Sequence, residues 1–127
     1  MTKQIINVEN YWSVIVYYNV DYDLFDLVQN DMESIGASSK TCDDVRRNML
    51  LGKAKAFTYS SIKEHTSIVA FNRHRKTKDY INSLVHEAEH VKQAMLHAYE
   101  VEDKGEPPAY TVGFLMMRMW EVFQYLK

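Results

Sequence analysis

The residue types with the greatest chemical potential stand together at His86-Glu87-Ala88-Glu89-His90, an H-E-x-x-H pattern flanked by Leu84, Val85 and Val91. On a helix, positions four apart lie on one face, one turn from each other. Two imidazoles so arranged can hold one zinc ion, and the carboxylate that follows the first of them stands beside it. From there Glu87 can take a proton from a water activated by the metal and later deliver it to a leaving amine. Ionisable groups beside an apolar face are costly unless they are paired or bind a metal.

Catalytic zinc generally takes three protein ligands and keeps one position open. His97 lies on the same face as the pair, but two helical turns carry it about 10 Å further along the axis, too far to share one ion. His65 and His74 precede the helix and are not excluded by spacing. Glu106 is the stronger candidate, because Gly105 reverses the chain and can fold the start of the next helix back over the motif. Glu102 and Asp103, in the same turn, are the alternatives.

These side chains need elements to hold them. Tyr80 to Val101 reads as one long helix, capped by Thr77 or Asp79, with Ile81, Leu84, Val85, Val91, Met95 and Leu96 as its apolar positions. Pro107-Pro108 opens a final helix, where proline costs least. Its apolar residues surround most of the axis, so it is expected to be heavily buried. Tyr11–Val20 is aromatic and β-branched and reads as a strand. Asp21 then caps a helix that Gly36 stops, and Thr41 or Asp43 starts a shorter one ending at Gly52. Ala54–Tyr59 and Thr66–Asn72 read as an antiparallel pair with the first strand beside them. The expectation is an α+β fold, with a sheet of about three antiparallel or mixed strands packed on the motif helix and its successor.

The 127 residues fit one domain, 1–127. At a formal net charge of −2, no overall field argues for nucleic acid or an anionic membrane. The basic run Arg73–Lys78 is read as a solvated loop, so a nucleic-acid partner is not expected. Cys42 is the sole cysteine, which excludes a disulfide within the chain. No stretch approaches the length of a membrane span, and Met1–Asn7 lacks the apolar run of a signal peptide, so the expected address is the cytoplasm.

His86-Glu87-Ala88-Glu89-His90, followed by Glu106-Pro107-Pro108-Ala109-Tyr110 and Gly113, resembles the zincin-like metallopeptidases whose third ligand is a glutamate on the next helix. Among them it is most similar to very short proteins of phages and mobile elements. The resemblance covers the motif helix and the helix after it; the earlier strands only fit its order. It implies a small zincin-like domain with His86, His90 and Glu106 as zinc ligands and Glu87 as general base. It also implies that Tyr110 hydrogen-bonds a ligand or the developing oxyanion, and that Gly113 allows two helices to approach closely. The implied activity is zinc-dependent hydrolysis of a peptide or amide bond in a peptide or protein substrate, with Thr66–Asn72 as the edge on which the substrate pairs. The rival expectation is a non-catalytic zinc-binding or protein-interaction domain, closed by a fourth ligand such as His65 or His74. In a third, the metal is lost and the helix only packs.

Overall fold

The computed structural model describes residues 1–126. Its sheet has four strands in the order β1-β2-β4-β3. β1 (Thr2–Val8) pairs antiparallel with β2 (Trp12–Tyr18), and β3 (Ala56–Ser61) pairs antiparallel with β4 (Thr66–Phe71). β2 and β4 run parallel, with Ile15 opposite Ile68 and Val16 opposite Val69. The sheet is therefore mixed, with one strand more than expected. The additional strand is β1, whose sequence Thr-Lys-Gln-Ile-Ile-Asn-Val has little apolar contrast between its faces.

Between β2 and β3 the chain forms two helices. Asp21 caps a single 3-10 turn, Tyr22–Leu24, by accepting from the Asp23 amide. This turn leads into α1 (Phe25–Ser34), and the chain leaves α1 through Gly36 at φ +104°, a backbone region that suits glycine. Ser38 caps α2 (Ser39–Leu50), not Thr41 or Asp43, by accepting from the Thr41 amide. α3 (Thr77–Ala98) carries the motif and α4 (Glu106–Phe123) closes the described chain.

Alternation along the central strands sends side chains to two helical layers. Val14, Val16, Tyr18, Val69 and Phe71 meet Leu84, Ala88 and Val91 of α3 and Leu115 and Met119 of α4. Tyr17, Ile68 and Ala70 face the other way, onto Phe25, Val28 and Met32 of α1 and Cys42 and Met49 of α2. β4 is buried on both faces and bordered on both sides, as a near-continuous apolar run allows. It is thus no edge; the edge on the α3 side is β3.

α4 is anchored from beneath. Tyr18 Oη donates to Gln4 Oε1 (2.6 Å), and Gln4 Nε2 donates to the Arg118 carbonyl (2.8 Å). Only one stripe of α4 is covered: Met117 stays 55% and Trp120 48% exposed, so this helix is less buried than its composition implies. Gly113 is exposed, and a Cβ there would meet nothing within 4 Å, so close helix approach does not explain it. No helix of the described residues is long and apolar enough to cross a membrane.

Candidate metal-binding cleft

α3 lies across the edge strand, and between them runs an open cleft of about 500 Å³. Ala56, Thr58 and Ser60 form one wall; His86, Glu87, His90, Gln93 and His97 form the other. His86 and His90 project from consecutive turns and converge, Nε2 to Nε2, at 3.2 Å. Two nitrogens bound at about 2.1 Å to one tetrahedral ion lie about 3.4 Å apart, so the observed spacing fits a shared metal with little movement. Without a metal the same approach suits an N–H···N bond between the rings.

Glu87 is turned inward and is only 5% exposed. Its Oε1 accepts from Thr58 Oγ1 at 2.9 Å, and its Oε2 lies 4.0 Å from His86 Nε2. The helix thus presents a carboxylate clamped on one oxygen and open on the other, beside the imidazole pair. Thr58 is the supporting residue that sequence reasoning misses: nothing marks one hydroxyl in a strand that also holds Ser60 and Ser61. Beneath it, Ser60 and Ser67 share a hydrogen bond of 2.7 Å, and the Trp12 indole N–H donates to Ser67.

No family model, curated protein or solved structure matches this chain. The chemistry of the cleft rests on the arrangement of its own side chains.

The other histidines have different surroundings. His65 stacks on Trp12 with ring centroids 5.4 Å apart, and its Nδ1 meets the Tyr99 hydroxyl at 3.2 Å. His74 uses both nitrogens, Nδ1 with the Asn72 carbonyl and Nε2 with Ser83 Oγ, and burial pushes its pKa below the ordinary histidine range. Neither lines the cleft, and the structure offers neither to the pair as a further ligand. His97 does line it, exposed, beyond Gln93.

The acids of the α3–α4 turn separate clearly. Asp103 is held by Lys92 at 2.8 Å and Glu102 by Lys104 at 3.0 Å. Glu106, the first residue of α4, is exposed and makes no ion pair among the described residues. Its neighbour Pro107 shares a cavity with Met95, Leu96 and Tyr99, which sets the start of α4 against the last turns of α3 rather than beside the imidazoles. Glu106 does not line the cleft, and among the described residues no three His, Cys, Asp or Glu side chains gather around one point. Tyr110 is 76% exposed and does not line the cleft either.

Proposed function

We propose that this protein is a zinc-dependent hydrolase acting on peptide or related amide bonds, with His86 and His90 holding the metal and Glu87 as its general base. One observation carries the reading: a nearly buried carboxylate, fixed by Thr58 on one oxygen, stands next to two imidazoles converged to 3.2 Å. Glu106, the third ligand the resemblance implies, makes no ion pair among the described residues, whereas Asp103 is held by the buried Lys92. Since α4 begins against the end of α3, the assignment requires its first turn to draw inward on binding.

When bound, zinc supplies Lewis-acid polarisation of a carbonyl and acidifies a nearby water. Glu87 would serve as the base, taking a proton on Oε2 and returning it to the departing amine nitrogen, while Thr58 keeps the carboxylate from rotating away. β3 borders the cleft and has a neighbour on one side only, so an extended peptide can lie along its free edge.

The rival reading, a closed structural zinc site, loses support because His65 and His74 are engaged elsewhere. Calorimetric titration of metal-free protein with zinc tests the proposal. One ion per chain should bind, and His90→Ala should abolish binding while circular dichroism stays unchanged. Equal zinc affinity in that variant refutes it.

A further inference from the structure

The end of the molecule where β4 runs into α3 gathers most of its unpaired cations. Seven Lys and Arg residues among those described join no ion pair, and all but Lys63 belong to this end: Lys53, Lys55, Arg73, Arg75, Lys76 and Lys78. All six are exposed. The two loops are joined, since the Asn72 amide donates to the Lys55 carbonyl at 2.9 Å. Unrelieved repulsion between like charges is a cost that an anionic partner removes.

Two cavities open there. One, of about 330 Å³, is lined by Lys55, Arg73, Arg75 and Lys76, with Asp79 as its one acid. The other, of about 250 Å³, has Tyr80 and Phe123 as an aromatic floor and Arg73 and Arg75 at its rim. His74 borders both, its ring stacked on Tyr80 at 4.5 Å between centroids. Asn19 also lines the second cavity, and its Oδ1 is buried without a hydrogen-bond partner. Trp120 packs on Phe123 at 5.8 Å and is 48% exposed, and Tyr125 nearby is 80% exposed.

We infer that this end binds single-stranded nucleic acid, with one base in the aromatic cavity and the adjoining phosphates over the cations of the two loops. A lone phosphate would leave most of six cations unused. The cavity is walled by the aromatic rings of Tyr80 and Phe123, and exposed aromatics beside a cationic track suit stacking of unpaired bases. Phosphate contacts supply affinity; the cavity supplies the preference for an open strand.

The test is fluorescence anisotropy with labelled oligonucleotides of about 12 residues, single-stranded and duplex, over a salt series of about 50 to 200 mM. Single strands should bind at low salt more tightly than the duplex. The Arg73→Glu/Arg75→Glu variant, its fold checked by circular dichroism, should bind at least about tenfold more weakly. Its salt slope should fall by about 1.4, at about 0.7 for each phosphate that is no longer neutralised. The inference is overturned if no oligonucleotide binds, if the double variant keeps the affinity and slope, or if duplex or phosphatidylserine vesicles bind as well as single strands. Zinc content does not enter this measurement, so it stands or falls apart from the hydrolase reading.

Discussion

Two charged side chains on α3, Glu87 and Lys92, are about equally hidden, at 5% and 6% exposure. Lys92 is compensated in full. It bonds Glu89 at 2.5 Å and Asp103 at 2.9 Å, and those carboxylates, Asp103 first, hold its pKa above the ordinary lysine value. It thereby pins the turn between α3 and α4. Glu87 receives one neutral hydroxyl and no cation, apart from an exposed imidazole 4.0 Å away. Unlike Lys92, Glu87 thus makes no ion pair that ties it to another element of the fold, and its second oxygen stays free for chemistry.

The largest effect should separate the two residues. Glu87→Gln keeps the bond from Thr58, since an amide oxygen still accepts, and keeps the shape of the side chain. Its stability should hold, while hydrolysis falls by about 10²- to 10⁴-fold with zinc still bound. Lys92→Ala should do the reverse, leaving the rate near normal and costing about 1–2 kcal/mol, a modest figure because both carboxylates remain partly solvated. Denaturant melts and rates of both variants decide the matter. If Glu87→Gln melts earlier than Lys92→Ala, Glu87 is a structural residue.

Next in size is the assignment of the third ligand. Glu106→Gln should weaken zinc by more than the roughly 10- to 100-fold expected for a merely supporting residue, and Glu102→Gln should leave it unchanged. An equal loss in both variants would mean that the turn's charge, rather than a ligand, is being measured. Thr58→Val is a smaller perturbation. It leaves Glu87 buried without its donor, and the rate should drop about tenfold while the zinc constant stays put. A rate equal to wild type would show that the clamp on Oε1 does not matter.

How much of the molecule is legible in its sequence depends on how local each feature is. The motif helix, the proline-opened α4, the glycine exits and the β3–β4 hairpin are set by contiguous residues, and they stand within a few positions of where the pattern puts them. β1 escapes the pattern because four of its seven residues are polar, and only the pairing of Ile5 with Ile15 and its neighbours makes it a strand. β4 reads as an edge in sequence; its parallel contact with β2 joins Ser13 to Thr66, a long-range pairing that no local pattern announces. Within the cleft, His86, Glu87 and His90 follow from helical spacing alone. Thr58 requires knowing which face of β3 meets α3, and the position of Glu106 depends on how the two helices pack.

The smallest effect concerns a half-buried titratable group, His74, and sharpens the same contrast. Burial lowers the pKa of His74, the Asn72 carbonyl opposes that, Lys55 adds to it and Asp79 opposes it. Above the unfolded value of about 6.5 the ring is neutral in both states and adds no pH dependence. Below it, the unfolded chain takes up a proton that the folded chain resists, so stability declines with falling pH until the lower, folded pKa is passed. His74→Gln removes that contribution. Its unfolding midpoint should fall less steeply than wild type between about pH 6.5 and 5, even if it starts lower through the loss of stacking on Tyr80. Parallel curves would mean that the His74 ring stays solvated enough to titrate normally, and that the loop carrying Arg73 and Arg75 opens readily in solution.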